Sequence, residues 1–172
     1  LLYDYSFYCK QNGILLYSKQ KGMIKMRYFL LSVFTAVLDL TSKEVVKNKM
    51  PVGQKKQISK KVFLWHIKNK GLAYNKFEND ERKVLAVSSL AVGAVGAHLF
   101  SLIHRNAGAL EKTGSALLLG GGIGNLVDRI KNKNVTDFIY VDFKKAPIFN
   151  VADIAALFGG ILVVFKAMID EI

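Results

Sequence analysis

The chain holds one cysteine, Cys9, so it can build neither an internal disulfide framework nor a cysteine metal cluster. It holds three histidines, His66, His98 and His104, and none stands at zinc-ligand spacing. No metal or other cofactor is expected. Acids are scarce: 13 Asp+Glu face 25 Lys+Arg, for a formal net charge of +12. That charge would suit nucleic acid. A single-strand binder, however, interleaves its basic residues with stacking aromatics, and no such stripe exists outside the apolar runs. The run Gly120-Gly121-Gly122-Ile123-Gly124 has no preceding strand of a βαβ unit, which excludes a dinucleotide-binding loop.

What is there is hydrocarbon. Hydrophobic residues make up 51% of the 172, and mean hydropathy is +0.23. They are clustered. Val84–Ile103 carries no acid or base other than His98 and is long enough to cross a bilayer core of roughly 30 Å. Weaker runs cover Tyr28–Leu38, Ala109–Val127 and Val151–Ile169. The expectation is a mainly α membrane protein with four transmembrane helices, about 27–47, 83–104, 108–130 and 150–169. Lys60–Ile67 and Val135–Val141 have strand-forming residues, so the connections are expected to build a small β-sheet at the membrane surface. Trp65, Tyr74 and Phe77 suit that interface. Gly120 and Gly124 form a small-xxx-small pair for close helix packing. The lysines flank spans and are attracted to anionic membrane lipid. Residues 1–25 are expected to be an N-terminal extension outside the fold, and 26–172 to be one four-span domain. Lys25–Leu38 looks like a signal peptide, but no small-x-small site precedes Asp39, so it is read as a retained span.

Two Asn-x-x-Asp stretches sit where apolar runs end: Asn125-Leu126-Val127-Asp128 and Asn150-Val151-Ala152-Asp153. A carboxylate at the edge of hydrocarbon is costly and is a functional candidate by default. Four alternating spans put the end of the first, the start of the second, the end of the third and the start of the fourth on one face. Asp39, Lys43, Asn69, Asn125, Asp128, Arg129, Asn150 and Asp153 all fall there. Lys19, Lys21, Lys25 and Arg27 precede the first span and favour a cytoplasmic start, making that face extracytoplasmic. The 49–83 connection carries 10 Lys+Arg and pulls the other way.

Asn125, Asp128 and Arg129 share one helix face. Asn150 is placed to cap the last span, with Asp153 in its first turn. Two carboxylates in contact share one proton. One then takes a proton from water while the other polarises a scissile carbonyl and later protonates the leaving amine. The same pair would equally serve a small proton-coupled transporter as a relay, although transporter acids belong nearer the midplane.

The ordered motifs resemble the lipoprotein signal peptidase family, bacterial signal peptidase II. They are Asp39-Leu40-Thr41-Ser42-Lys43, Asn69-Lys70-Gly71-Leu72-Ala73-Tyr74, Gly121-Gly122-Ile123-Gly124-Asn125-Leu126-Val127-Asp128-Arg129-Ile130, Val135-Thr136-Asp137-Phe138-Ile139 and Phe149-Asn150-Val151-Ala152-Asp153. The likeness covers about residues 26–169. Leu40 departs from the Gln usual there, and Leu72 and Tyr74 depart in the following loop. The resemblance implies a four-span intramembrane aspartyl endopeptidase of the bacterial cytoplasmic membrane. Its active site would be extracytoplasmic, and it would cut the signal peptide from diacylglyceryl-modified prolipoproteins. It implies Asp128 and Asp153 as catalytic pair, with Asn69, Asn125, Arg129 and Asn150 binding substrate or supporting the dyad. Asp39, Lys43 and Gly71 would be structural support, Ala73 would lie beside the site, and Asp137 would hold a strand rather than perform chemistry. A globomycin-type cyclic peptide is an implied inhibitor, and a monomer is expected.

Overall fold

The backbone of α1, Leu2–Lys49, contains the expected first span and stops just before Pro51, whose ring disfavours helix in the residue ahead of it. The computed structural model describes residues 2–71, 80–143 and 146–171, with side chains from Met26 onward. Leu72, Ala73, Tyr74 and Phe77 therefore lie outside the described residues. After α1 come β1 (Lys55–Ser59), β2 (Val62–Asn69), α2 (Glu81–His104), α3 (Ala109–Asn132), β3 (Val135–Val141), β4 (Ile148–Phe149) and α4 (Val151–Asp170). The result is mainly helical, with a small antiparallel sheet. Local chemistry sets the helix ends. Asp80 caps α2 by accepting from the Lys83 N–H, and α3 stops at Lys133, a left-handed residue at φ 59°.

The helices are turned inside out relative to a water-soluble bundle. Leu90 is 75% exposed and Phe34 64%, whereas Asp39 and Lys43 are 0% and 1% exposed. Apolar side chains face outward along α1, α2 and α4, while Asp39 and Lys43 of α1 and Asp128 of α3 are buried. Two helices, Glu81–His104 and Val151–Asp170, are long and apolar enough to cross a membrane. α1 and α3 fall short because their inward faces carry the charges and glycines of the bundle interior.

α3 is the central helix and touches α1, α2 and α4. Its glycines make that possible. A Cβ on Gly120 would lie 2.5 Å from the Ser32 carbonyl oxygen, and one on Gly124 would lie 2.5 Å from Asp39 Oδ2. On the other side Gly121 abuts the Ala152 carbonyl, and Gly114 and Gly159 face each other's carbonyls at 2.7 and 2.5 Å from the added carbons. The Gly120–Gly124 pair thus seats α1, as the small-residue spacing suggests. An apolar cluster of Tyr28, Leu99, Ile103, Ala116 and Leu119 fills one end of the bundle. The opposite end is polar and lies against the sheet.

That sheet runs β1-β2-β3-β4, all antiparallel. β2 and β3 match the two expected strands. β1 is an edge strand of sequence KKQIS, exposed along its length, and its lysines discourage pairing with a further strand. Asn69 pairs with Val135 and Ile67 with Asp137, so Asn69 stands diagonal to Asp137. β4 pairs Ile148 with Tyr140 and delivers Asn150 beside the same strand.

Candidate active site

Three ranks of residues on α1, one turn apart, supply the cations and one anion of the polar end: Asp39, Lys43 and Lys47. Lys43 Nζ lies 2.6 Å from Asp39 Oδ2, donates to Asn125 Oδ1 at 2.7 Å, and stands 3.9 Å from Asp128 Oδ2. A fully buried lysine needs such partners, since an unpaired charge out of water is prohibitive. The other oxygen of Asp39, Oδ1, accepts the Ala152 N–H at 2.9 Å. It thereby satisfies one of the orphan donors at the start of α4. Asp39 and Lys43 thus join α1, α3 and α4.

Asp128 is spent on structure. Oδ1 accepts from Lys47 Nζ at 2.7 Å and from Asn132 Nδ2 at 2.6 Å, and Oδ2 accepts the Thr136 N–H at 2.8 Å. Both oxygens are occupied in a side chain 1% exposed, and among the described residues it makes no bond to Asp153. Asp128 ties α1 to α3 and fixes the turn into β3. This departs from the pairing of Asp128 with Asp153 expected from their matching motifs. Matching motifs do not bring two side chains together; Lys47, which sequence reasoning passed over, is the group that claims Asp128. The signal was present, because Asp39, Lys43 and Lys47 recur every four residues on one helix face.

Asp137, expected only to hold a strand, lies at the centre instead. Its Oδ2 accepts from Asn69 Nδ2 at 3.0 Å and its Oδ1 from Asn150 Nδ2 at 2.7 Å. Asn150 Nδ2 also donates to Asn125 Oδ1 at 3.1 Å, and Asn125 Nδ2 donates to Asp153 Oδ1 at 2.9 Å. Asn150 and Asp153 form a reciprocal capping box: Asp153 N–H to Asn150 Oδ1 at 2.9 Å, and Asn150 N–H to Asp153 Oδ2 at 3.1 Å. Two asparagines, Asn150 and Asn125, therefore link Asp137 to Asp153, and Asn69 holds Asp137 from the other side. Burial raises the Asp137 pKa to about 6; the negative charge of Asp153 adds to this, against the hydrogen bonds from Asn69 and Asn150.

Arg129 Nη2 donates to the Gly71 carbonyl at 3.1 Å, and the Gly71 N–H donates to Asn69 Oδ1 at 3.0 Å. Arg129 and Gly71 thus orient Asn69, which in turn orients Asp137. Among the described residues no group of His, Cys, Asp and Glu is arranged to hold a metal ion.

An outward-apolar helical bundle with a polar network at one end is the architecture of a membrane protein. The solved structure of a bacterial membrane enzyme, determined by the in meso method at 2.3 Å, superposes with a TM-score of 0.76 over 84% of this chain and 89% of that one, at 23% identity. A second, at 1.9 Å, gives 0.72 over 82% and 92%, also at 23% identity. The Signal peptidase (SPase) II family profile matches residues 31–169. The lipoprotein signal peptidase of Lactobacillus johnsonii is 34% identical over 143 residues, covering 83% of this chain and 91% of the relative. That of Maridesulfovibrio salexigens is 36% identical over 144 residues, covering 77% and 91%. The chain belongs to the signal peptidase II family, and is accordingly a peptidase.

Proposed function

We propose that the chain is a four-span intramembrane aspartyl endopeptidase whose working carboxylates are Asp137 and Asp153. It removes the signal peptide from diacylglyceryl-modified prolipoproteins at the extracytoplasmic face of the bacterial cytoplasmic membrane. The observation that carries the pairing is the Asn150–Asn125 bridge between two carboxylates, one of them with a pKa near 6. A proton shared between such groups is what water-activating dyads use.

The two acids have different surroundings. Asp153 lies in the first turn of α4 and, among the described residues, accepts only N–H donors. Asp137 is the member that holds the proton. Water attacks the scissile carbonyl carbon and gives a proton to Asp153, while Asp137 protonates the carbonyl oxygen. A gem-diol results. On collapse, Asp153 returns its proton to the amide nitrogen, the C–N bond breaks, and a diol hydroxyl reprotonates Asp137. The lipidated substrate approaches from the bilayer, between outward apolar faces. The enzyme acts as a monomer, and a globomycin-type peptide competes at the same bridge.

The test is cleavage of a lipidated prolipoprotein by the purified chain in detergent, beside Asp137→Asn and Asp153→Asn. Each substitution lowers the rate on the order of 10²–10⁴. An undiminished rate for either one refutes the pairing, and absence of cutting by the parent refutes the function. A proton-coupled transporter using the same acids would instead move solute and leave the prolipoprotein intact.

A further inference from the structure

A cavity of about 270 Å³ opens beside the active site, between the start of α2 and the end of α3. Four cations line it, Lys70, Arg82, Arg129 and Lys133, against one acid, Glu81. Glu81 is engaged by Lys133 at 3.4 Å, in a pair of which both members are largely exposed. The remaining wall is apolar: Val84, Leu85 and Ile130. Ile130 is 61% exposed and Leu85 37%. Arg129 Nε is buried and has no acceptor among the described residues, where the Gly71 carbonyl accepts from Nη2 alone. A concave site with surplus positive charge, an unsatisfied guanidinium donor and an exposed apolar lip has one natural complement: a phosphate with hydrocarbon attached.

We infer that this cavity binds the phosphate headgroup of an anionic phospholipid and that occupancy acts on the dyad through Arg129. The substrate's diacylglyceryl group is neutral and does not account for the four cations, so this lipid is a separate ligand. The depth fits, because the cavity sits at the ends of α2 and α3 on the sheet side, level with the headgroups in the four-span reading. The route to the dyad consists of bonds already described. Arg129 holds Gly71, Gly71 holds Asn69, and Asn69 donates to Asp137. A phosphate on Arg129 fixes its guanidinium and with it the orientation of Asn69. A zwitterionic headgroup, whose ammonium meets the same cations, is disfavoured.

The binding claim stands apart from the peptidase reading, while the coupling claim rests on it. Binding is measured first, without turnover. The full chain in detergent is titrated with phosphatidylglycerol, phosphatidylcholine or inorganic phosphate, and retained lipid is counted by native mass spectrometry. Phosphatidylglycerol is retained at least tenfold more tightly than phosphatidylcholine. The double variant Arg82→Gln, Lys133→Asn weakens it roughly thirtyfold, about fivefold for each basic residue removed near an anionic surface. Asn at 133 tolerates the left-handed backbone there. Equal retention of the two lipids, or an unchanged double variant, overturns the site. Displacement by inorganic phosphate over the same concentration range assigns it to a soluble anion and overturns the lipid. Turnover is then compared in nanodiscs: phosphatidylglycerol raises kcat/KM for the parent several-fold and not for the double variant. Binding without that difference overturns the coupling. Failure of the parent to cut in any lipid overturns the peptidase reading and leaves the site intact.

Discussion

Replacing Asp137 by Asn should lower cleavage on the order of 10²–10⁴ while stabilising the fold at alkaline pH. The carboxyl has a pKa of about 6 in the folded chain, against 3.8 when unperturbed. A raised pKa means that the group's favourable contribution is complete below about pH 4 and is lost as pH rises through about 6. At about pH 8 the folded protein carries a buried carboxylate that costs about 3 kcal/mol, at 1.36 kcal/mol per pKa unit. An amide removes that cost. It also turns one acceptor into a donor, facing Asn69 or Asn150, and forfeits a hydrogen bond of about 1 kcal/mol. The net is a gain of about 2 kcal/mol at pH 8 and a loss of about 1 kcal/mol at pH 4. At about 2–4 °C per kcal/mol, Tm should rise by roughly 4–8 °C at pH 8 and fall by roughly 2–4 °C at pH 4. Trp65, the only tryptophan, lies on β2 and reports the melt by its fluorescence. Asp128→Asn provides the contrast. It leaves Lys47 and Lys43 short of a buried counter-charge, which costs about 3–5 kcal/mol. Its Tm falls at neutral pH, and its folded fraction still cleaves within about tenfold of the parent, since it lacks none of the reacting groups. The reasoning is refuted if the Asp137→Asn melting difference keeps one sign across the pH range. It is equally refuted if Asp128→Asn folds like the parent yet is the variant that cannot cut.

Cleavage, followed as kcat/KM, should decline as pH rises through about 6, where free Asp137 loses its proton; a rate flat to pH 9 argues against Asp137 as the acid. Gly124→Ala drives a methyl to 2.5 Å from Asp39 Oδ2 and should lower stability by about 1–3 kcal/mol, whereas Gly160→Ala, with no atom within 4 Å, should melt no lower than the parent. Lys47→Met strands Asp128 and should cost about 3 kcal/mol or more, and adding Asp128→Asn should restore most of the loss in a double-mutant cycle read by Tm. Asn150→Ala removes both the α4 cap and a bridge to Asp137. It should cost about 1 kcal/mol in stability and at least tenfold in kcat with little change in KM, since the amide orients the dyad rather than the substrate.

Much of this was legible in the residues. The four helices, the two inner strands and the collection of polar residues at one end follow from hydropathy, alternation and span direction. β1 and β4 escaped because nothing local favours them. KKQIS becomes a strand only by pairing with β2, and Ile148–Phe149 is too short to show a period. The central position of Asp137 escaped for a related reason. Its neighbours Asn69 and Asn150 lie 68 and 13 residues away and meet it only through sheet register. Asp128 and Asp153, by contrast, stand in look-alike motifs whose side chains turn to different partners. Local pattern located both aspartates, whereas the contact of Lys47 with Asp128 is long-range and no local pattern shows it.

The hydrogen bond from Ala152 N–H to Asp39 Oδ1 spans 113 positions of the chain. During synthesis the first helix is therefore inserted long before the group that completes its buried carboxylate exists. Until then Asp39 has only Lys43 for company, β2 waits for β3, and Asp153 has not emerged. In the proposed peptidase the two bridged carboxylates come together only once α4 and its cap have been made. A chain that stops before α4 lacks Asn150 and Asp153, and on the proposed reading it cuts nothing.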